Sequence, residues 1–242
     1  MQVSIAGQGG ESPAKQGLQL DRVVLLGRTF DEYRRYFAFD EEWLRERAVL
    51  DIASGVSSFC AESAAKGLEV TAFDLIYDLP PGVIRPKCET DLELVLQGVR
   101  GLQTYKWDFY RDFDFLRSFR QRAYQTFLPH YEREGARRYV PGRLPVLPFA
   151  DRQFDVTLVS YLLFVYQDHF DYEFHRQSII ELMRVTRGEA RIYPLVTFEA
   201  KRSEYLDRMF TDPACAHLRF EQVATDFEFL VGSNSYLRIT HR

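Results

Sequence analysis

The chain has 242 residues, of which 46% are hydrophobic and 27% are charged, and its formal net charge at pH 7 is −4. These values exclude wholesale disorder, and the mildly acidic balance excludes binding of nucleic acid through bulk positive charge. The three cysteines, Cys60, Cys88 and Cys215, lie far apart and form no CxxC pair, so a disulfide framework and a zinc site are not expected.

The chain begins with residues rich in Gly, Gln and Ser, and we predict a flexible tail over residues 1–17 and one domain over residues 18–242. The tail has no basic segment followed by an apolar one, so no signal peptide is expected. No apolar stretch reaches the roughly 18 residues that a membrane span requires, and we therefore predict a cytoplasmic protein. The first helix is predicted at Thr29–Phe39, because Thr29 and Glu32 have the spacing of a capping box.

Residues 48–74 predict a strand, a helix and a second strand. The strands are the apolar segments Ala48–Ile52 and Glu69–Phe73. The helix between them is Phe59–Lys66, and Gly67 ends it. A strand–helix–strand unit of this length pairs its strands in parallel through a right-handed crossover.

Residues 78–138 are too many for a simple connection between strands, and we interpret them as an inserted helical cap. The prolines at its start argue against regular structure before a short helix at Asp91–Val99. Apolar residues at every third or fourth position predict a long helix over Trp107–Glu134, kinked or split at Pro129. Its phenylalanines are expected to face the sheet (Phe109, Phe113, Phe119 and Phe127), and its arginines to point outward (Arg117, Arg120 and Arg122).

The rest of the chain completes the sheet. Strands are predicted at Tyr139–Val140, Phe154–Ser160, Arg191–Val196, Arg219–Leu230 and Tyr236–Thr240. Helices are predicted at Tyr172–Val185, which Gly188 ends, and at Ser203–Phe210. The last two strands turn at Gly232–Asn234, as in a hairpin. These elements predict an α/β fold with a doubly wound, mostly parallel seven-stranded sheet, an antiparallel C-terminal edge hairpin and an inserted helical cap.

The strongest functional signal lies in Val49–Asp74. Small residues after the first strand allow the backbone to approach a bulky ligand, and Asp74 at the end of the second strand can accept two hydrogen bonds from a ribose diol. A nicotinamide site needs G-x-G-x-x-G, whereas residues 53–58 contain Gly55 alone. Asp51 before this loop suits a cationic ligand group, such as an ammonium or a sulfonium, better than a pyrophosphate.

Three segments together resemble a known family, the class I S-adenosylmethionine-dependent methyltransferases. Val49–Ser57 looks like the family's first motif, apolar-apolar-acid-x-Gly-x-Gly-x-Gly, with Ala53 and Ser57 in place of two glycines. Leu147–Ser160 is similar to the family's LPF-x-D-x-x-FD segment, which leads into the fourth strand. Ile179–Leu195 is similar to its helix, turn and fifth strand, and the three matches follow the family's order.

The resemblance implies that S-adenosyl-L-methionine is the cofactor and that its methyl group passes to a nucleophile. It implies that Asp51 binds the ammonium of the cofactor, that Asp74 binds the ribose, and that Gly55 gives the backbone access to the ligand. Arg143 stands where the family often carries an Asp near the adenine, and an arginine cannot accept a hydrogen bond. Backbone groups of Leu144 are therefore expected to serve there. The remaining expected cofactor contacts are Ala53, Ser57, Leu75 and Ser160.

The catalytic residues are not identified by the sequence. Tyr161, after the fourth strand, either faces the methyl donor or packs in the core, and His169 is either a base or a surface histidine. No metal site is expected, because no histidines have the spacing of metal ligands on a helix. An N-terminal lid over the cofactor (Arg28, Tyr33 and Tyr36) and an acceptor pocket (Tyr77, Trp107 and Tyr110) are alternatives to burial of these side chains in the core.

The acceptor is predicted to be a small molecule. RNA is the alternative acceptor, because residues 105–143 contain nine basic and five acidic residues, although a solvated helix face explains the same charges. A non-catalytic protein that keeps the fold and binds the cofactor or a partner is the third interpretation, because two glycines of the first motif are replaced.

Overall fold

The computed structural model describes residues 17–242, so the predicted tail lies outside the described residues except for Gly17. A seven-stranded sheet has the order β3-β2-β1-β4-β5-β7-β6. Its strands are β1 Val49–Ile52, β2 Val70–Asp74, β3 Tyr139–Pro141, β4 Phe154–Ser160, β5 Thr186–Tyr193, β6 Leu218–Ala224 and β7 Ser235–His241. Strands β1 to β5 pair in parallel, and β7 runs antiparallel to both β5 and β6. The predicted fold class is confirmed.

Seven α-helices surround the sheet in residues 17–242. They are α1 Phe30–Tyr36, α2 Glu41–Leu44, α3 Phe59–Ala65, α4 Pro81–Gly98, α5 Phe113–Glu134, α6 Tyr172–Val185 and α7 Glu204–Thr211. The predicted capping box begins α1: the Thr29 hydroxyl accepts from the Glu32 N–H, and the Thr29 N–H donates to the Glu32 carboxylate at 2.7 Å. Among the described helices, none is long and apolar enough to span a bilayer.

The parallel pairing determines where the functional residues meet. Ile52 of β1 is in register with Phe73 of β2 and with Val159 of β4. The carboxyl ends of these three strands therefore lie together at one edge of the sheet, where Asp74 and Ser160 are the last residues of β2 and β4. This edge is where open α/β sheets bind their ligands.

The segment between β2 and β3 contains more helix than the sequence predicts. Helix α4 begins at Pro81, ten residues before the predicted start. Pro81 lies in the first turn, where the backbone N–H has no partner to lose, and Pro86 removes a single hydrogen bond further along. Helix α5 begins at Phe113 because Asp112 caps it, accepting from the Phe115 N–H at 2.8 Å, and it continues through Pro129 without a break.

Three predicted boundaries in the C-terminal part are wrong. Strand β5 follows α6 directly, because the Thr186 hydroxyl bonds to the carbonyl of Leu182 in the last turn, so Gly188 lies inside the strand. The same strand ends at Tyr193, since Pro194 has no N–H to continue the ladder. Strand β6 ends at Ala224, and residues 225–234 form a loop rather than a tight hairpin.

Residues 17–28 contain no helix or strand and lie along the carboxyl edge of the sheet, near Asp74 and Ser160, and we call them the N-terminal strap. Its backbone N–H groups are held by side chains of other elements: Leu25 donates to Asp91 on α4 at 2.7 Å, and Arg28 donates to Ser57 at 3.0 Å. Gly27 allows a close approach, because a Cβ there would lie 2.2 Å from the carbonyl oxygen of Val56. The strap therefore packs closely against both α4 and the loop after β1.

Candidate active site

The loop after β1 and the end of β2 form one end of the site, which we call the cofactor end. Ala53 and Gly55 both have φ of +53°, which turns the chain sharply. The Gly55 N–H donates to one carboxylate oxygen of Asp74 at 2.9 Å, and the Ile76 N–H donates to the other at 3.0 Å. Burial raises the pKa of Asp74 to about 6, against the hydrogen bonds that favour the charged form. The loop and the acid are thus one hydrogen-bonded unit.

Asp51 lies behind this loop rather than in it. Its carboxylate is fully buried and accepts hydrogen bonds from the Tyr33 hydroxyl at 2.9 Å and from the Ser54 hydroxyl at 2.6 Å. No arginine or lysine among the described residues forms an ion pair with it, and burial raises its pKa to about 7. Ser54 lines the cavity described next and Asp51 does not, so the hydrogen bond from Ser54 is what connects this carboxylate to the cavity wall.

A cavity of about 600 Å³ extends from the cofactor end, which is within the usual range for small-molecule sites. Beyond the cofactor end its walls are mostly apolar, although Arg28 and Arg120 also line it, and we call this part the apolar chamber. The strap contributes six leucine and valine side chains between Leu18 and Leu26. Helix α4 contributes Leu92, Val95 and Leu96, and its C-cap residue contributes Val99. The loops after β4, β5 and β6 contribute Phe170, Phe198, Phe229 and Leu230.

The end of β4 lies where the two parts of the cavity meet. Ser160 and Tyr161 both line it, and the Ser160 hydroxyl is buried with no hydrogen-bond partner in residues 17–242. Tyr161 has φ of +54°, a conformation that costs energy for a non-glycine residue, and the Arg28 guanidinium lies 4.3 Å from the centre of its ring. Strained residues of this kind cluster at functional sites.

The two histidines near β4 do not reach the cavity. His169 is exposed on the surface and packs edge-on against Tyr166, with 5.5 Å between the ring centres. His175 is buried on α6, where Nε2 accepts from the Phe164 N–H at 3.2 Å and Nδ1 lies 2.7 Å from the carbonyl of Asp171. Each ring nitrogen of His175 therefore has a structural partner, and neither histidine lines this cavity.

A buried ionic cluster is hydrogen-bonded to the strap. Arg120 of α5 forms an ion pair with Glu32 of α1 at 2.7 Å and donates to the carbonyl of Gly27 at 2.8 Å. Glu32 also accepts hydrogen bonds from the hydroxyls of Tyr36 and Tyr110. Burial alone raises a carboxyl pKa, but Arg120 and then Arg28 outweigh it and hold the pKa of Glu32 at about 2.

The expected outward direction of Arg120 is therefore wrong. The signal for burial was present in the sequence, because Arg120 follows Leu116 by four residues and precedes Ala123 by three, and both are buried on the same face of α5. The face of α4 that lines the apolar chamber has the same kind of spacing and was also missed. Arg117 does lie outward, in an exposed ion pair with Glu93.

The structure brings most of the expected cofactor residues to one cavity. Those that line it are Ala53, Gly55, Ser57, Asp74, Leu75, Leu144 and Ser160, with Tyr161 beside them. Of the expected lid residues only Arg28 lines it, since Tyr33 and Tyr36 are buried in the core. Tyr77, Trp107 and Tyr110 lie outside the lining and pack against other aromatic rings. Within residues 17–242 no group of three acidic, histidine or cysteine side chains could hold a metal ion.

The positive charge of residues 105–143 is largely neutralised by ion pairs. Five of the nine basic residues are paired (Lys106, Arg117, Arg120, Arg133 and Arg137), and three of these use acids from outside the segment. Lys106, for example, lies 2.7 Å from Glu228 in the loop after β6. Paired side chains do not form the free basic stripe that binds a phosphate backbone.

No protein-family model matches the chain. The protein MJ0045 of Methanocaldococcus jannaschii, which is described as uncharacterized, is 37% identical over 224 residues, covering 92% of this chain and 98% of its own length. The chain belongs to the same family as MJ0045. The sheet of this chain, with seven strands, β1 to β5 parallel and β7 antiparallel to its neighbours, is the Rossmann-like arrangement that the resemblance to the class I S-adenosylmethionine-dependent methyltransferases implies.

Solved structures with lower identity are similar over most of the chain. A SAM-dependent methyltransferase from Aquifex aeolicus is 13% identical, with 87% of this chain and 94% of the other covered and a TM-score of 0.39. A SAM-dependent methyltransferase from Methanosarcina mazei is 15% identical, with 83% and 95% covered and a TM-score of 0.39. The mitomycin 7-O-methyltransferase MmcR is 16% identical, with 88% and 54% covered and a TM-score of 0.44.

Proposed function

We propose that this protein is an S-adenosylmethionine-dependent methyltransferase and that its acceptor is a small, largely apolar molecule. The observation that carries the proposal is the single cavity joining the cofactor end to the apolar chamber. Two molecules bound in such a cavity lie side by side, which is the main requirement for a transfer between them. The ion pairs that neutralise residues 105–143 favour a small acceptor over RNA.

The residues at the cofactor end fit this cofactor. Each carboxylate oxygen of Asp74 accepts one backbone N–H, which leaves acceptor capacity for the two hydroxyls of a ribose. A Cβ at Gly55 would meet a single atom within 4 Å, an oxygen of Asp74 at 3.9 Å, so the space above the loop is open to a ligand. Leu75, which is 62% exposed, and Leu144 offer apolar surface to an adenine ring.

When bound, S-adenosylmethionine supplies a methyl group that its sulfonium already activates. The chain then has to align the acceptor and exclude water, and the strap and α4 cover the apolar chamber for this purpose. The described lining contains no histidine, glutamate or cysteine side chain, and its one carboxylate, Asp74, is assigned to the ribose. Burial raises the pKa of its tyrosines, Tyr105, Tyr161 and Tyr166, which makes them poor bases. We therefore propose an acceptor atom that is nucleophilic without a protein base, such as a thiolate or a stabilised carbanion.

The cofactor assignment is tested by titrating S-adenosylhomocysteine into wild type and Asp74→Ala by calorimetry. We expect the affinity of the variant to fall by about 10- to 100-fold, the usual effect of losing charge-assisted hydrogen bonds. Asp78→Ala is the matched control, because Asp78 lies four residues further on, is exposed, and should bind as wild type does. Equal affinity of a folded Asp74→Ala variant would show that Asp74 does not bind the ribose.

The acceptor class is tested with S-adenosylmethionine carrying a radioactive methyl group, incubated with the protein and with separate cell fractions. We expect label in the small, organic-soluble fraction and none in purified RNA. Label in RNA alone would contradict the small-molecule proposal. Cofactor binding without transfer to any fraction would favour the non-catalytic interpretation.

A further inference from the structure

Two buried polar atoms that belong to residues lining the cavity have no hydrogen-bond partner in residues 17–242. They are Nε of Arg28 and the hydroxyl oxygen of Ser160, and the two residues are 8% and 7% exposed. Both residues line the cavity. Buried polar atoms in native proteins are nearly always hydrogen-bonded, so a pair of unsatisfied ones at the same cavity indicates a ligand group that would complete them.

The charge around Arg28 is also incomplete. Within the described residues no carboxylate lies in ion-pair contact with it, and Glu32, the nearby acid, is already paired with Arg120 at 2.7 Å. The buried groups Arg28, Arg120 and Glu32 therefore carry a net charge of +1. A buried cation without a counter-ion is costly, which favours a bound anion at this place.

Arg28 is held in a fixed position. Its Nη1 donates to the carbonyl of Leu26 at 2.5 Å, and its guanidinium lies over the ring of Tyr161. Its backbone N–H donates to Ser57 in the loop of the cofactor end. Tyr161 follows Ser160 directly, so the guanidinium over its ring and the residue with the free hydroxyl both belong to the wall of the cavity at the end of β4.

We propose that Arg28 and Ser160 form a carboxylate-binding subsite at this junction. A guanidinium and a hydroxyl are both donors, and a planar carboxylate is the anion whose geometry matches a guanidinium. The subsite rests on the proposed function and has two possible sources of the carboxylate: the amino-acid part of the cofactor, or the acidic end of an otherwise apolar acceptor. Either source satisfies both orphaned atoms.

The test uses calorimetry with four probes on wild type, Arg28→Met and Ser160→Ala. S-adenosylhomocysteine carries the amino-acid carboxylate, and 5′-methylthioadenosine lacks it. Decanoate and 1-decanol, titrated into protein saturated with S-adenosylhomocysteine, differ only in the acidic end. Arg122→Met is the matched control, because it removes an exposed arginine of α5 outside the cavity and should leave every affinity unchanged.

If the cofactor supplies the carboxylate, Arg28→Met lowers the affinity for S-adenosylhomocysteine by about 10- to 100-fold. The affinity for 5′-methylthioadenosine then stays within about twofold of the wild-type value. If the acceptor supplies the carboxylate, Arg28→Met leaves the affinity for S-adenosylhomocysteine unchanged. It then lowers the affinity for decanoate by about tenfold or more and leaves the affinity for 1-decanol unchanged. Ser160→Ala should change the same affinities in the same direction, with a smaller loss. It provides the test if Arg28→Met does not fold.

The proposal is wrong if binding of S-adenosylhomocysteine and binding of decanoate are both independent of Arg28 and Ser160. This includes the case in which decanoate does not bind to wild type. Failure of the proposed function looks different. In that case wild type binds neither S-adenosylhomocysteine nor 5′-methylthioadenosine, whatever stands at these two positions.

Discussion

Replacing Glu32 with glutamine tests the buried ionic cluster that supports the strap. Glutamine has the shape of a protonated glutamate, so the variant removes the charge that pairs with Arg120 and leaves the packing in place. Arg120 retains its hydrogen bond to the carbonyl of Gly27. The free energy of unfolding should therefore fall by the amount that ionisation of Glu32 contributes.

That amount follows from the pKa of Glu32, which is about 2 in the folded protein against an ordinary value of 4.5. A pKa lowered by folding stabilises the protein above the unfolded value and loses this effect as the pH falls through the folded value. At 1.36 kcal/mol for each pH unit, Glu32→Gln should lower the free energy of unfolding by about 3 kcal/mol at pH 7. At pH 3 the same linkage gives a loss of only about 1 kcal/mol.

Urea unfolding of wild type and Glu32→Gln between pH 3 and pH 7 measures this difference. The difference between the unfolding free energies of the two proteins at each pH cancels the titration of all other groups that do not interact with Glu32. Glu93→Gln is the matched control, since it breaks the exposed ion pair with Arg117 and should cost less than about 1 kcal/mol. A loss at Glu32 as small as that at Glu93, or one that does not change with pH, would refute the assignment of a strong buried ion pair.

Three further changes have distinct expected results. Gly55→Val should abolish binding of S-adenosylhomocysteine in calorimetry while lowering the free energy of unfolding by about 1–2 kcal/mol, since φ is +53° there; normal affinity would contradict the loop assignment. Asp51→Asn should raise the free energy of unfolding by up to about 4 kcal/mol at pH 8 and by less than about 1 kcal/mol at pH 4. The reason is that folding raises the pKa of Asp51 from 3.8 to about 7, so ionisation of this group costs stability as the pH rises between these two values. Equal stability of the two proteins in urea at pH 8 would count against this assignment. Asp91→Asn should speed tryptic cleavage after Arg22, because Asp91 accepts hydrogen bonds from both Arg22 and Leu25 of the strap. An unchanged cleavage rate would mean that other contacts keep the strap in place.

Features that depend on neighbouring residues were predictable from the sequence. The capping box of α1 was predicted at Thr29 and Glu32, and the limits of β4 and α6 agree with the predicted ones. The order of the early strands was also predictable, because a right-handed crossover leaves one way to pair β1 with β2. These signals act over a few residues, so a single sequence contains them.

The apolar chamber and the ionic cluster were decided by the tertiary structure. An arginine in a helix is by its chemistry a surface residue, and Arg120 is buried because Glu32, far earlier in the chain, lies within 2.7 Å to neutralise it. Likewise, the leucines of the strap are unremarkable in the sequence and become a cavity wall when Asp91 holds the strap across the sheet edge. The free energy of burying a charge or an apolar side chain depends on which distant residues the fold brings beside it, and a local pattern does not contain that information.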